Sequence, residues 1–237
     1  MLLCMPASAQ YDYTAQSARR GALGGCLLFN PHERTLHVAY RQGFASTGTA
    51  DKAVRLQMPT GPGGVALLSY NHFGNSTFYQ QQALAGYALR LSRRIYMGAA
   101  ARWLQTGTAD AHYLSQHWLS ASLLLHVQWH HTGLTLLSTT RPWEPERPWG
   151  MALQASYRPS TQLLTMVQLA SEERWRWRAG MEYNYRETFF LRAGMVTHPL
   201  ALTFGGGVRL GQYAFDFAFE AHNTLGITPQ MSLGLWF

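Results

Sequence analysis

The chain has 237 residues, of which 47% are apolar, 13% aromatic and only 13% charged, and this length suits one large domain. Its net charge is +7, from 18 Arg and the single lysine Lys52 against 12 acidic residues. Nucleic-acid binders cluster mixed Lys and Arg on an exposed patch, whereas here many Arg occupy alternate positions, so nucleic acid is not expected as a partner.

The first nine residues resemble the end of a secretory signal peptide. An apolar run precedes a small-residue cleavage site, Ala7-Ser8-Ala9, so we expect residues 1–9 to be removed. Cys4 belongs to this leader, which leaves Cys26 alone and indicates neither a disulfide framework nor a metal site. Residues 10–34 contain the short, basic and Gly-rich stretch SARRGALGG, and on the residues alone they form a flexible segment; the alternative, a plug, comes from the resemblance given below.

From residue 35 to residue 237 the sequence alternates apolar and polar residues with the period of a β-strand. No stretch approaches 18 consecutive apolar residues, so no transmembrane helix is predicted. The alternation predicts fourteen strands, at 35–41, 53–59, 63–72, 78–91, 95–106, 117–129, 132–139, 149–158, 161–170, 174–186, 188–198, 200–211, 212–222 and 227–237. Two of them, 132–139 and 161–170, are apolar on both faces.

The stretch RWRWRAGMEYNYR, residues 174–186, shows the pattern most clearly. Its odd positions are apolar or aromatic and its even positions are small, polar or charged. It is longer than the usual strand of a soluble sheet, and a tilted strand that spans a membrane needs about 9–11 residues. A transmembrane antiparallel β-barrel is therefore predicted, with a soluble β-sandwich or lipocalin-like barrel as the alternative.

The connections and the aromatic residues agree with a barrel in an outer membrane. Short connections alternate with longer ones along most of the chain, as expected for short periplasmic turns and longer outer loops. Aromatic residues fall at both ends of the apolar stripes, where girdles at the two headgroup levels are expected. The predicted girdle residues are Trp129, Tyr183, Tyr185, Phe189 and Tyr213 at the inner ends, with Trp103, Trp149 and Trp175 at the outer ends.

The inward face carries most of the charged residues and supplies the candidate ligand-binding set. A tight turn at Glu187 would pair Glu182 with Arg192 across two strands, and Gly205 and Gly207 would leave room for the arginine. Arg209 would lie diagonal to Asp216. The candidate residues, all facing the lumen by parity, are Arg174, Arg176, Arg178, Glu182, Arg192, Arg209, Asp216 and Glu220. They form either a structural ladder of ion pairs or a wall that binds an anion or a headgroup.

Catalytic and metal sites are not indicated. His72 and Ser76 could imitate a hydrolase pair at an outer strand end, but no third group orients the histidine. His130 and His131 fall in a tight inner turn without further ligands. The glycines at 205–207 interrupt a strand and lead into no helix, unlike a phosphate loop. We therefore expect neither an enzyme nor a cofactor.

Three features resemble the PorV/FadL-like family of outer-membrane barrels. They are ARRGALGG at 18–25, the pair Asn30 and Pro31, and the closing run 178–237. The resemblance implies a barrel in the outer membrane of a Gram-negative bacterium, with the segment before the barrel folded into its mouth. His32 stands where the family usually has alanine, and the outer loops are short for a FadL-type transporter.

The resemblance implies two functions. The first is an accessory or docking role related to type IX protein secretion, with secretion-system proteins as partners. The second is a narrow transporter for a lipophilic or anionic solute. Outer-membrane lipid and lipopolysaccharide are expected to surround the barrel. The terminal Phe237, after alternating apolar residues, resembles the signal read by the barrel-assembly machinery.

Overall fold

The computed structural model describes residues 17–23, 33–43, 49–61, 63–75, 78–108, 116–142, 149–171, 175–222 and 226–237. The leader predicted at 1–9 and most of the segment 10–34 lie outside this part of the chain, so the predicted division at residues 9 and 34 stays a prediction.

The described residues form one short helix and fourteen strands. The helix α1 spans Ala18–Ala22. The strands are β1 Thr35–Gly43, β2 Thr49–Thr60, β3 Gly64–Gly74, β4 Phe78–Arg90, β5 Ile95–Thr108, β6 Gln116–Trp129, β7 Thr132–Thr140, β8 Trp149–Tyr157, β9 Leu163–Ser171, β10 Trp175–Tyr185, β11 Phe189–Val196, β12 Ala201–Leu210, β13 Tyr213–His222 and β14 Gly226–Trp236. Each predicted strand corresponds to one of them.

The strands close into a single antiparallel barrel. Every strand pairs with its neighbours in the chain, and β1 pairs with β14 from Thr35 opposite Trp236 to Arg41 opposite Gln230. Closure leaves no strand edge unpaired, so the ladders satisfy the backbone N–H and C=O groups internally, as the interior of a bilayer demands. The predicted fold class is confirmed.

The odd and even positions of β10 lie in different environments. Trp175, Trp177 and Met181 are exposed on the outside, whereas Gly180 and Glu182 are buried inside. This arrangement inverts a soluble protein, in which large apolar side chains are buried and charged ones exposed. The solvent that covers the outer face must therefore be hydrocarbon.

The aromatic residues predicted as girdles are exposed on the outer face. At the inner ends, Trp129 is 62% and Tyr213 61% exposed, and at the outer ends Trp149 and Trp175 are both 60% exposed. Two arginines at the inner end lie over girdle rings. The guanidinium carbon of Arg94 is 5.8 Å from the ring centre of Trp129, and that of Arg186 is 5.2 Å from the ring centre of Tyr185. Rings at both ends of an apolar band are typical of membrane interfaces.

The strands β7 and β9, which the sequence shows to be apolar on both faces, contact apolar surfaces inside the barrel. Leu164 and Met166 of β9 point inward and pack against Leu23, just after α1. Leu137 of β7 points into a lumenal cavity. Their inward apolar residues are thus explained by what the barrel contains.

The termini of the barrel and its tightest turns lie on one side, which we take as the periplasmic side. Two of these turns, at His130–His131 and Gly211–Gln212, have only two residues between strands. Gly211 has a φ of +60°, which favours glycine, and His130 has a φ of 49°. The strand ends that flank the two longest connections, Thr108 and Gln116 for one and Thr140 and Trp149 for the other, lie on the opposite, outer side.

Within the described ranges, no helix combines the length and the apolar character needed to cross a membrane.

Substitution of two adjacent leucines of β6 tests the assignment of the faces. Leu123 is 62% exposed on the outside, and Leu124 lines the lumenal cavity. Leu123→Arg should lower the free energy of unfolding by about 2–4 kcal/mol, because it places a charge near the middle of the bilayer. Leu124→Arg should cost much less, because its charge can be hydrated in the lumen. Urea unfolding in lipid vesicles measures both, and equal costs would contradict the assignment.

Candidate functional site

The helix α1 lies inside the barrel and packs against β11 to β14. Ser17 caps it by accepting a hydrogen bond from the backbone N–H of Arg20. The backbone N–H of Ala18 donates to Oγ of Ser232 at 3.1 Å, and Oγ1 of Thr203 donates to the carbonyl of Ala22 at 3.0 Å. The wall therefore binds both ends of the helix. We call residues 17–23 the plug.

Glycines of the wall make room for the plug. A Cβ at Gly180 would lie 2.6 Å from the carbonyl oxygen of Leu23, and one at Gly205 would lie 2.8 Å from Cβ of Ala22. Such distances are too short for real contacts, so any side chain at these positions would displace the plug. Gly205 lies directly opposite Arg192 in the sheet, and a Cβ there would meet the backbone carbonyl of Phe217 as well as Ala22 of the plug. Gly207 lies against the guanidinium group of Arg192 and the carboxylate of Asp216.

Four charged side chains join the plug to the wall. Nε and Nη2 of Arg19 both donate to the carboxylate of Glu182 at 2.8 Å. Nε of Arg192 donates to the same carboxylate at 2.7 Å, and its Nη1 donates to Asp216 at 2.5 Å. We call Arg19, Glu182, Arg192 and Asp216 the plug network.

The plug network confirms the predicted register, in which Glu182 lies directly opposite Arg192. Its two cations and two anions alternate, so it carries no net charge. The side chains of Glu182, Arg192 and Asp216 are no more than 5% exposed. Ion pairs at such depth leave a costly buried charge if one partner is removed. In this part of the wall the structural interpretation, a ladder of ion pairs, describes the observed contacts.

The other predicted residues of the closing strands have different partners. Glu220 accepts from Arg41 at 2.8 Å and lies 3.1 Å from Nε2 of His222, near the outer end. Arg209 lies over the ring of Trp236 at 4.8 Å, while the carboxylate diagonal to it, Asp216, pairs with Arg192 instead. Arg192 reaches Asp216 across Gly207 with one nitrogen while another binds Glu182.

The three arginines that open the stretch 174–186 do not form one wall. Arg174 lies outside the described residues. Nε of Arg176 donates to the carbonyl of His198 at 2.9 Å, at the outer end of β10. Arg178 lines a cavity in the lumen.

This cavity is a feature of the lumen that could hold a solute. It has a volume of about 250 Å³ and lies against β2 to β10, beside the plug. Its apolar wall comes from inward residues that include Val65, Leu67, Leu84, Ala100, Leu124 and Leu137. Its described lining also contains five arginines, Arg20, Arg55, Arg102, Arg141 and Arg178, and no carboxylate. We call it the arginine cavity.

Neighbouring structure fixes several of these guanidinium groups. Arg141 follows β7 and donates to the carbonyl of Ser171 at 2.8 Å, and it occupies the space that a side chain at Gly150 would need. Nη2 of Arg55 donates to Oε1 of Gln57 at 3.2 Å. The arginine cavity therefore presents positioned cationic groups beside an apolar surface, a combination that suits a molecule with an apolar body and an anionic group.

A second, polar cavity of about 160 Å³ lies toward the inner end. Its lining includes Arg19, Glu182, Arg192 and Asp216, the whole plug network. Arg20, the next residue of the plug, lines the arginine cavity instead. The plug thus lies between the two cavities.

The structure adds no catalytic arrangement to the candidates considered from sequence. His72 points out of the barrel and stacks on Tyr79 at 6.5 Å, and Ser76 lies outside the described residues. His130 and His131 are in the inner turn between β6 and β7. Among the described residues no group of three or more His, Cys, Asp or Glu could hold a metal ion. The absence of enzyme activity stays a prediction.

Comparison with known proteins gives likeness in structure alone. No protein-family model matches the sequence, and no curated protein matches it significantly. The CymD monoaromatic hydrocarbon channel superposes with a TM-score of 0.68 at 10% identity, covering 93% of this chain and 97% of that one. A mutant of the monoaromatic hydrocarbon channel TodX gives 0.65 at 10% identity, covering 96% and 100%. A triple mutant of the Rhodopseudomonas blastica porin gives 0.53 at 6% identity, covering 86% and 99%.

These likenesses show the fold, and with the exposed apolar belt they confirm the predicted location. The protein is an outer-membrane β-barrel. At 10% identity the likeness to CymD and TodX shows the fold alone. The comparisons give no support to PorV or to type IX secretion.

Replacement of Glu182 tests the plug network. Glu182→Gln leaves Arg19 and Arg192 facing a neutral amide, and losing one partner of a buried ion pair costs about 3–5 kcal/mol. The plug should loosen, so a cysteine at Ala18, which is fully buried, should react faster with a thiol reagent in a chain without Cys4 and Cys26. Glu220→Gln, which removes an ion pair away from the plug, is the control. Equal labelling rates in the two variants would contradict the assignment.

Proposed function

We propose that this protein is an outer-membrane channel for a small lipophilic solute that carries an anionic group. The observation that supports this function is the arginine cavity, in which five guanidinium groups lie around an apolar wall. Its volume of about 250 Å³ is suited to a small molecule rather than to a protein segment.

Both the apolar wall and the arginines of the cavity contribute to binding such a solute. Contact with Val65, Leu67, Leu84 and Leu137 removes apolar surface of the solute from water, which contributes about 25 cal/mol per Å². A guanidinium group stays charged and can bind a carboxylate or phosphate with two parallel hydrogen bonds. A neutral hydrocarbon would gain only the burial of its apolar surface.

The position of the plug suggests how passage is controlled. Arg20 lines the arginine cavity and Arg19 lines the inner polar cavity. A solute that crosses from one cavity to the other must therefore pass the segment that Glu182 holds in place. We propose that loosening of the plug network opens this route.

Likeness to other channels supports transport over secretion. CymD and TodX are hydrocarbon channels with the same barrel fold, although an identity of 10% transfers no substrate. The accessory role in type IX secretion stays a prediction, since no described contact specifically favours it.

Uptake into reconstituted vesicles tests the proposed function. Arg102→Gln with Arg178→Gln should slow the uptake of an aromatic carboxylate such as benzoate by about 10-fold or more, because charge-assisted hydrogen bonds contribute about 1.5–3 kcal/mol each. Uptake of toluene, which has no charge, should stay unchanged. Arg93→Gln with Arg94→Gln, in the exposed inner turn between β4 and β5, is the matched control.

Two results would contradict the proposal. One is benzoate uptake that is equal for the cavity variant and for the wild type. The other is purification from detergent with a stoichiometric protein partner and no bound small molecule or lipid, which would favour docking.

A further inference from the structure

Among the described strand residues, basic side chains point outward in one place only. Within the described strands, the basic residues that point outward are Lys52 of β2, His72 of β3 and His117 of β6, and no described carboxylate shares that face. Elsewhere this face is dominated by apolar and aromatic residues. A cationic group on a hydrocarbon-facing surface is costly unless it reaches the headgroup region.

The three residues belong to one continuous row across five strands. Lys52 lies directly opposite His72, and His72 is opposite Gln81 on its other side. Gln81 is opposite Gln105, which is opposite His117. We call Lys52, His72, Gln81, Gln105 and His117 the polar row. Every member can donate a hydrogen bond, and four strand intervals make the row about 19 Å wide.

The next outward-facing row toward the inner end of the barrel is mostly apolar and aromatic. It consists, in the same strand order, of Val54, Tyr70, Ala83, Trp103 and Leu119. Tyr70 and Trp103 are exposed aromatic residues, as expected where the apolar band meets the headgroups. The polar row therefore begins where the apolar band ends.

The height of the polar row agrees with this position. Lys52 is eight residues from Thr60, the inner end of β2, and His117 is twelve residues from Trp129, the inner end of β6. At about 3.4 Å per residue and a tilt of about 40°, these separations correspond to about 21 and about 31 Å above the inner end. Since the apolar band of such barrels is about 25 Å tall, the row rises from just below the top of the band at Lys52, whose long side chain can reach the headgroups, to above the band at His117.

Aromatic neighbours position both imidazoles of the row. His72 stacks on Tyr79 at 6.5 Å with an interplanar angle of 11°, and His117 stacks on Trp103 at 5.9 Å with an angle of 20°. Stacked rings have fewer accessible rotamers, so their N–H groups lose less freedom when they bind a ligand.

We propose that the polar row is a binding site for the phosphorylated headgroup of one lipopolysaccharide molecule. Lys52 supplies a point charge for a phosphate, and the imidazoles and amides donate hydrogen bonds to phosphate and sugar oxygens. The row is on the outer side of the barrel, and its width suits the broad headgroup of a multi-acyl lipid better than that of a two-chain phospholipid. The aromatic row beneath it would contact the start of the acyl chains. This site does not depend on the proposed transport function.

A triple substitution tests the site. Lys52→Gln, His72→Gln and His117→Gln remove the basic groups but keep hydrogen-bonding side chains. We expect the wild type, purified in mild detergent, to show a higher Tm on addition of lipopolysaccharide, and the triple variant to lose most of that increase. Arg93→Gln with Arg94→Gln removes basic groups from the inner turn, so that variant should keep the full increase. The mobility shift on gels before and after boiling verifies that each variant folds.

Phosphatidylglycerol added in place of lipopolysaccharide distinguishes the sources of phosphate. A response of the wild type to lipopolysaccharide but not to phosphatidylglycerol supports the proposal. Equal responses to the two lipids would show general attraction of anionic lipid and would overturn it. An unchanged response of the folded triple variant, or a wild type that does not respond to lipopolysaccharide, would overturn it as well.

Discussion

The interior of this barrel depends on the ion pairs that the carboxylate of Glu182 makes with Arg19 and Arg192. This carboxylate accepts from Arg19 of the plug and from Arg192 of the wall, so one side chain joins the plug to the ion pairs of the wall, while Ser232 and Thr203 bind the two ends of the helix. The glycines of the wall are consistent with that position, since Gly180 and Gly205 have no side chain where the plug lies closest. The plug in turn divides the lumen into the arginine cavity and an inner polar cavity.

The arginines of this protein have two different environments, although they look alike in the sequence. Arg19 and Arg192 belong to a buried network that also contains two carboxylates, where their charge is neutralised and their role is to hold structure. Arg102 and Arg178 line a cavity whose described lining contains no carboxylate. The interpretation as a ladder of ion pairs describes the contacts of the first group, and anion binding by the second group stays a proposal.

The bilayer imposes the second constraint. A closed ladder of fourteen strands satisfies the backbone, and the outer face must then be apolar between two interfaces. The polar row is informative against that background. Lys52, His72 and His117 depart from the apolar rule together, on one side of the barrel and above a row that contains Tyr70 and Trp103. A shared location of the exceptions indicates a shared ligand more than it indicates tolerance of scattered polar residues.

The sequence by itself determined the strands, the two faces and the partners that lie close along the chain. Period-two alternation specifies which side chains point inward, and a tight turn specifies the register, so the pair Glu182 and Arg192 could be predicted from a count outward from Glu187. The same parity could have placed Arg55 and Arg102 in the lumen, but Arg141 follows its strand and gave no such signal.

Only the tertiary structure decided what lies across the lumen. Arg19 and Glu182 are 163 residues apart, and no local pattern relates them. Closure of the barrel brings them together, so the plug, the role of Gly180 and Gly205 and the shape of the arginine cavity were decided there. The physical reason is that alternation and turns act between neighbouring residues and strands, whereas the lumen is assembled from inward side chains of all the strands at once.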